Sequence, residues 1–359
     1  MLIRADARAI PLADACVDCV VTSPPYWGLR DYGTATWTGG DASCSHNARS
    51  GDLRFTHPIS DKQRSNAGSA GSAGSAGPSC LSCGATRIDV QIGLEPTPEA
   101  YVAALVTVFR EIRRVLKDDG TIWLNLGDSY ATGGGRVGEC PGGGKQGENW
   151  RLRGLMTPPN RMPINGLKPK DLVGIPWRVI FALQTDGWYL RSDIIWAKPN
   201  PMPESVMDRP TKAHEYVFLL TKSERYYYDA DAIAEPTDRV TSGNLLWKLG
   251  ADRGRPASHL GGSIPWDGDT RNRRSVWTIP TECYRGAHFA TMPEALVEPC
   301  VLAGCPLGGL VLDPFCGTFT VGAVAARYSR RVVGLDLTYQ HLARERTAQR
   351  AFMFDLVAV

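Results

Sequence analysis

The chain of 359 residues lacks three features, each of which would place it in a distinct class of protein. It contains no uninterrupted apolar run of about 18 residues, so no transmembrane helix is expected. It has little excess charge, since 40 basic and 37 acidic residues leave a formal net charge of +3, and any nucleic acid must be bound through a local basic surface. Residues 1–6 lack the apolar core of a signal peptide, which predicts a cytoplasmic protein.

The composition is that of a folded protein with many loops. Hydrophobic residues make up 43% and charged residues 21% of the chain, which excludes a wholly disordered or collagen-like protein. The 38 glycines and 25 prolines are expected to lie in loops and turns. In a reducing cytoplasm the ten cysteines should be thiols, so closely spaced cysteines indicate metal ligands rather than disulfides.

Apolar periodicity predicts strands and helices that alternate along the chain. Thr97 and Pro98 predict a helix start, because threonine is a favoured N-cap and proline is favoured at the first helical position. Further helices are predicted over 171–185, 293–303, 320–327 and 339–351, and strands over 17–22, 121–126, 189–197, 215–222, 310–313 and 331–336. This alternation predicts an α/β protein with a largely parallel sheet.

The first motif, Ser23-Pro24-Pro25-Tyr26, directly follows the strand predicted over 17–22. Ligands of open α/β sheets bind at this carboxyl end of a strand. Because the prolines make the turn rigid, the Ser23 hydroxyl and the Pro24 carbonyl can face one point. Such acceptors suit an exocyclic amine, and the Tyr26 ring suits stacking on a planar base. An ordinary strand-ending turn is the alternative.

The second motif is a strand, a tight turn and a helix, beginning at Asp313 and containing Gly317. It is typical of a nucleotide-type cofactor loop, in which helix N–H groups are available to a ligand. About 20 residues further on, the strand over 331–336 ends in Asp336. A carboxylate at that position can accept hydrogen bonds from two ribose hydroxyls. Each feature alone is weak evidence, whereas the pair at this spacing is moderately specific.

Together these motifs resemble those of the amino DNA methyltransferases that modify cytosine N4 or adenine N6. The catalytic motif precedes the cofactor motif, which resembles the β-class permutation. The resemblance implies a Rossmann-like S-adenosylmethionine-dependent methyltransferase fold with a circularly permuted motif order. Other segments that resemble the family are Ala5-Asp6-Ala7, residues 187–191, Ile194-Ile195-Trp196-Ala197-Lys198, His214-Glu215-Tyr216 and His288-Phe289-Ala290.

The family resemblance also implies roles for individual residues. The target base would lie against Ser23, Pro24, Pro25 and Tyr26, flipped out of double-stranded DNA. S-adenosylmethionine would be held by Asp6, Asp313, Phe315, Gly317, Thr318 and Asp336. Family members with Ser-Pro-Pro-Tyr more often modify cytosine N4. We therefore expect cytosine N4 to be the acceptor, with adenine N6 as the alternative. Restriction–modification is the context that such an enzyme suggests, with a cognate restriction enzyme as partner.

Phe319 departs from the family pattern, which usually has glycine or another small residue at this position. Its ring could crowd the cofactor, or it could pack harmlessly between sheet and helix. The first case would favour a third reading, a catalytically silent, zinc-stabilised DNA-binding protein.

Residues 38–84 have the character of a zinc-ribbon-like insertion. Its middle is a Gly-Ser-Ala repeat, typical of a flexible linker. Four candidate ligands of one structural zinc ion flank that linker: Cys44, His46, Cys80 and Cys83. Four unrelated surface residues are the alternative.

Residues 239–274 form a local basic region that ends in three arginines, Arg271, Arg273 and Arg274. We expect these arginines to contact DNA, with a solvated charged loop as the alternative. The sequence predicts four parts. The catalytic part comprises residues 1–37 and 85–235, and the insert comprises residues 38–84. The target-recognition region is predicted over 236–275 and the cofactor-binding part over 276–359.

Overall fold

The computed structural model describes residues 1–28, 36–41, 43–44, 80, 82–89, 91–131, 167–168, 170–204, 206–237, 270–282 and 292–337. Its main feature is an eight-stranded sheet. From one edge to the other, the strands are β1 (Leu2–Ile3), β12 (Arg331–Leu335), β11 (Leu310–Asp313), β2 (Val17–Thr22), β5 (Leu116–Leu126), β7 (His214–Thr221), β6 (Tyr189–Ala197) and β10 (Val276–Thr278).

The sheet is largely parallel, as the alternation of strands and helices predicted. Strands β1, β12, β11, β2 and β5 run in one direction. Strand β7 is antiparallel to both of its neighbours, β5 and β6, and β10 is parallel to β6. Strand β2, from the N-terminal part of the chain, lies between β5 and β11, and β11 belongs to the C-terminal part. Strands from the two ends of the chain are thus neighbours in the sheet.

In the part of the chain that the structure describes, four helices cover the sheet: α1 (Pro98–Val115), α2 (Ile175–Thr185), α3 (Glu294–Gly304) and α4 (Thr320–Arg327). The predicted start of α1 is confirmed, because the Thr97 side chain accepts the Ala100 N–H as an N-cap. Helix α2 begins later than predicted, at Ile175. Asp128 Oδ1 accepts the N–H groups of Gly174 and Ile175, each at 3.0 Å, and this cap determines where the helix starts.

Strand β5 begins at Leu116, directly after α1, so the predicted start at residue 121 is wrong. Leu116 is fully buried and pairs with Val17 of β2. A register shift follows between Val17 and Cys19, and it accommodates the polar residues before the regular part of the strand. Leu116 thus joins the sheet directly after the helix ends.

The sheet is buried on both faces by separate clusters of apolar side chains. Helices α1 and α2 pack on one face through residues such as Leu105, Phe109 and Ile180. Helices α3 and α4 pack on the other through residues such as Val301 and Val324. Strand β2 is buried along its whole length, as expected for a central strand covered on both sides.

Two small antiparallel sheets accompany the main one. The first joins β3 (Thr36–Thr38) to β4 (Thr86–Ile88), and the second joins β8 (Glu235–Pro236) to β9 (Thr270–Arg271). Among the helices of the described residues, none is long and apolar enough to cross a membrane. The helix predicted over 339–351 and the segment at 288–290 lie outside the described residues.

Phe319 lies at the junction of the second motif and α4, and its ring packs between the sheet and that helix. Its φ of 62° is left-handed, a conformation that favours glycine. The side chain is 3% exposed. A Cβ atom on Gly322 or Gly334 would lie 2.2 Å or 2.5 Å from the ring, so both glycines make room for it. Burial of the ring, at about 1.5–3 kcal/mol, can offset the cost of the backbone conformation.

This packing predicts that the effects of residues 319 and 322 on stability depend on each other. Gly322→Ala alone should lower the free energy of unfolding by about 1–3 kcal/mol, because its new methyl group overlaps the Phe319 ring. In a Phe319→Gly background the same change should be neutral or stabilising, since alanine favours a helix by about 1 kcal/mol over glycine. Urea unfolding of the four proteins measures the coupling. Equal effects of Gly322→Ala in both backgrounds would contradict the packing.

Candidate active site

The two motifs meet at one edge of the sheet, where the parallel strands end. Strands β2 and β11 are neighbours, with Leu312 aligned to Val20. The Thr22 hydroxyl donates a 2.8 Å hydrogen bond to Asp313 Oδ1, and both side chains are buried. The Ser-Pro-Pro-Tyr turn and the candidate cofactor loop therefore lie next to each other at this edge.

The turn itself is held by side chains from the neighbouring segments. The Tyr101 hydroxyl of α1 donates to the Pro25 carbonyl at 2.8 Å, and the Trp27 indole N–H donates to the Glu95 carbonyl at 2.8 Å. Pro24 is buried, whereas Ser23 remains partly exposed at the edge. The rigidity that the two prolines predicted is thus reinforced from both sides of the turn.

Tyr26 contacts the protein through both its ring and its hydroxyl. The ring packs on the backbone of Gly127, where a Cβ atom would lie 2.5 Å from a ring carbon. The hydroxyl donates to Glu215 Oε2 at 2.7 Å and lies 3.0 Å from Asn125 Oδ1. Burial, followed by the charge of Glu215, raises the pKa of Tyr26 well above its ordinary value, so the phenol keeps its proton.

Glu215 lies at the start of β7, surrounded by hydrogen-bond donors. Besides the Tyr26 hydroxyl, it accepts Asn125 Nδ2 at 3.2 Å and forms an ion pair with Lys198. Lys198 follows β6 directly and lies over the ring of Trp196, 4.3 Å from its centroid. Lys198 and Glu215 both belong to segments that resemble the family, and the sequence predicted no role for either of them. The feature of the sequence that could have indicated a role for Glu215 is a carboxylate near the start of a mostly apolar strand.

The candidate cofactor loop is held by contacts between β11 and β12. Gly317 N–H donates to Asp336 Oδ2 at 3.1 Å, which joins the loop to the acid that ends β12. Asp313 Oδ1 accepts the Phe315 N–H at 3.1 Å. Thr318, also predicted to line the cofactor, is 2% exposed. The loop thus has the strand–turn–helix geometry that the sequence predicted.

Asp313 is the most perturbed carboxyl group of the site. Burial raises its pKa to about 7, against the hydrogen bonds from Thr22 and the Phe315 backbone, and the charge of Asp336 adds to the rise. A carboxyl group in this position acts as an internal acceptor that joins strand and loop. It therefore helps to hold the candidate cofactor loop in its conformation.

Asp6 follows β1 at the same edge of the sheet. Arg8 binds both of its carboxylate oxygens, with Nη2 at 2.6 Å from Oδ2. Burial works to raise the pKa of Asp6, but the hydrogen bonds and charge of Arg8 outweigh it and lower that pKa. The acids that follow β1 and β12 thus lie at the same edge of the sheet, since these strands are paired.

Three of the four predicted metal ligands lie together beside β3 and β4. The Sγ atoms of Cys44, Cys80 and Cys83 all lie within 4.8 Å of one another, with Cys44 and Cys80 3.8 Å apart. The chain turns tightly here, because Gly84 N–H donates to the Cys80 carbonyl at 2.8 Å. The fourth predicted ligand, His46, lies outside the described residues.

The three arginines predicted to contact DNA lie near the β10 edge of the sheet. Arg271 and Arg274 both bind Glu235 Oε1, at 2.8 Å and 2.5 Å. Arg273 lies over the ring of Trp277, 4.7 Å from its centroid. Because two arginines share one carboxylate, the three arginines and Glu235 together keep a net positive charge. Residues 238–269, the main part of the predicted recognition region, lie outside the described residues.

Comparison with known proteins agrees with this geometry. The N6_N4_Mtase family, described as DNA methylase, matches residues 17–345. The type II methyltransferase M.SmaI of Serratia marcescens is 42% identical over 353 residues, which cover 97% of this chain and 91% of the relative. The type II methyltransferase M.Cfr9I of Citrobacter freundii is 39% identical over 348 residues, covering 95% and 84% respectively.

A solved structure supports the fold independently. The PvuII DNA methyltransferase, described as cytosine-N4-specific, is similar with a TM-score of 0.51 over 94% of this chain and 81% of its own, at 14% sequence identity. The predicted Rossmann-like fold of S-adenosylmethionine-dependent methyltransferases is confirmed. Since one family matches nearly the whole chain and two relatives are about two-fifths identical to it, the chain belongs to the N6_N4_Mtase family of DNA methylases.

Proposed function

We propose that this chain transfers a methyl group from S-adenosylmethionine to the exocyclic amine of a flipped base in double-stranded DNA. Cytosine N4 is the preferred acceptor, and adenine N6 is the alternative. The observation that carries the proposal is the Thr22–Asp313 hydrogen bond. It joins the turn suited to an amine to the loop suited to a nucleotide-type cofactor.

The cofactor is assigned to the loop and to the acids that end the neighbouring strands. Asp336 would bind the ribose, Asp6 would approach the adenine, and the backbone of Asp313, Phe315, Gly317 and Thr318 would line the methionine half. The burial of the Phe319 ring favours this assignment, because the ring fills the space beside Gly322 and Gly334, between helix and sheet. When bound, S-adenosylmethionine supplies an electrophilic methyl group.

The base is assigned to the Ser-Pro-Pro-Tyr turn. The Ser23 hydroxyl and the Pro24 carbonyl would accept the amine protons and direct the nitrogen lone pair, while Tyr26 stacks on the base. Pro25, held by Tyr101, keeps the turn in place. Most of the rate enhancement would come from positioning, because two reactants held in the correct geometry react as one unit.

Cytosine N4 is preferred because the motif begins with serine rather than aspartate. The type II names of the relatives favour a restriction–modification context, with a cognate restriction enzyme as partner and the cytoplasm as location. Arg271, Arg273 and Arg274 would contact DNA from the β10 side. The buried Phe319 ring weakens the case for the silent DNA-binding alternative.

The division into domains is part of the same proposal. Residues 1–37 and 85–235 would supply the base pocket, 276–359 the cofactor site, 236–275 target recognition and 38–84 the insert. The catalytic and cofactor parts share one sheet, in which β2 lies next to β11. They are therefore proposed as two parts of one folding unit.

Sequencing that reports modified bases tests the proposal directly. DNA from bacteria expressing the chain should carry N4-methylcytosine within one short recurring sequence, and DNA from cells expressing Ser23→Ala should carry much less. N6-methyladenine at a recurring sequence would establish the alternative acceptor. No modified base in either form, with the protein folded and present, would contradict the proposed activity.

We also propose that the cysteine cluster of the insert binds one structural zinc ion. Three thiols within 4.8 Å of one another suit thiolate ligands of a tetrahedral site, and His46 is the expected fourth ligand from the sequence. A bound metal ion would hold together the two ends of an insert whose middle is a Gly-Ser-Ala linker.

Metal analysis of protein purified without added zinc should find about one equivalent. Cys83→Ser should lose most of it. Cys16→Ser is the matched control, because Cys16 begins the other Cys-x-x-Cys sequence and its thiol donates to the Ala13 carbonyl, away from the cluster. Less than about a tenth of an equivalent in folded wild-type protein would refute a zinc site.

A further inference from the structure

The geometry points to Glu215 as a positioning residue that, through Tyr26, makes the Ser23 hydroxyl an obligate hydrogen-bond acceptor toward the target amine. This inference rests on the proposed function, since it concerns the same base pocket. It assigns a role to the Lys198–Glu215 ion pair, which the sequence motifs leave without one.

The Glu215 carboxylate, paired with Lys198, has no proton to donate, and it accepts from the three side chains around it. Lys198 has donors alone. The orientation of the Asn125 amide is determined by its second hydrogen bond, in which Nδ2 donates to the Tyr216 carbonyl at 3.0 Å, so Nδ2 and not Oδ1 faces the Glu215 carboxylate. The Tyr26 hydroxyl then gives its proton to Glu215 at 2.7 Å.

The direction of this bond determines what Tyr26 offers to Ser23. A phenol has one proton, and the two oxygens nearest to the Tyr26 hydroxyl, from Glu215 and Asn125, are both acceptors. Its raised pKa keeps that proton in place. The Tyr26 oxygen therefore presents lone pairs toward Ser23, whose Oγ lies 3.5 Å away.

Ser23 can then donate its own proton toward Tyr26, in a hydrogen bond at the long end of the range. A serine hydroxyl has one proton and two lone pairs, so this donation leaves its lone pairs to the base. An exocyclic amine approaches with N–H donors and meets an acceptor already oriented. Without an acceptor at position 215, the Tyr26 proton is shared between Asn125 Oδ1, at 3.0 Å, and Ser23 Oγ, so the Ser23 proton is no longer held away from the amine.

A purely structural role explains the ion pair less well. Strands β6 and β7 are already joined by backbone pairing from Tyr189–Thr221 to Ala197–His214. The side chains of Lys198 and Glu215 are only 16% and 18% exposed, and removing two charges from water is costly. An energetically costly ion pair close to the partly exposed Ser23 is consistent with a role in function.

Single-turnover methylation, at saturating DNA and S-adenosylmethionine, tests the inference in wild type, Glu215→Gln, Tyr26→Phe and the double variant. In Glu215→Gln the amide oxygen should face Lys198. The amide N–H group then faces the Tyr26 hydroxyl, in place of the carboxylate oxygen that accepted the Tyr26 proton in wild type. The rate constant should fall on the order of 10-fold, and that of Tyr26→Phe by at least as much. In the Tyr26→Phe background, Glu215→Gln should have no further effect, because Glu215 acts through the hydroxyl.

The affinities for DNA and cofactor should stay within about twofold of wild type. The urea midpoint should fall, because Lys198 loses its carboxylate partner in a largely buried position, so rates are compared under conditions in which all four proteins are fully folded. Glu298→Gln is the matched control, because Glu298 also accepts a hydrogen bond from a tyrosine, Tyr328, away from the site. It should methylate at the wild-type rate.

Two results would overturn the inference while leaving the proposed function intact: Glu215→Gln at the wild-type rate, or the same loss on Glu215→Gln with and without the Tyr26 hydroxyl. A rate loss explained by weaker DNA binding, or by partial unfolding in the assay, would also overturn it, in favour of a structural role. Absence of methyl transfer by wild type would overturn the proposed function and this inference together.

Discussion

The hydrogen bond between Thr22 and Asp313 is the contact on which the rest of the site depends. It joins two residues that are 291 positions apart in the chain and lie on neighbouring strands. Both groups are buried, so each would be costly to leave without a partner. Burial raises the pKa of Asp313 to about 7, and this carboxyl group is retained in the core as the acceptor that holds the two motifs together.

The order of strands explains how one edge of the sheet can hold both ligands. Strands β1, β12, β11 and β2 are adjacent and parallel, so the residues that follow them lie side by side. Asp6, Asp336, the loop after Asp313 and Ser23 occur far apart in the sequence and meet there. Circular permutation leaves this arrangement intact, because it changes which strands are joined by the chain and not which strands are paired.

Much of this could be predicted because the signals are local. The N-cap at Thr97, the strand over 17–22 and the strand–turn–helix after Asp313 each depend on residues close in sequence. The contact between Tyr26 and Glu215 could not be predicted in this way, because it requires β7 to be inserted antiparallel between β5 and β6. The direction of the Phe319 ring likewise depends on Gly334, a residue of another strand.

The role of Ser23 is the central claim, and transfer of tritium from S-[methyl-³H]adenosylmethionine to duplex DNA tests it most directly. The account predicts labelled DNA with wild type, and a single-turnover rate lower by at least about 10-fold with Ser23→Ala, while cofactor affinity is kept. Wild-type protein that labels no DNA, or Ser23→Ala that labels it at the wild-type rate, would contradict the account.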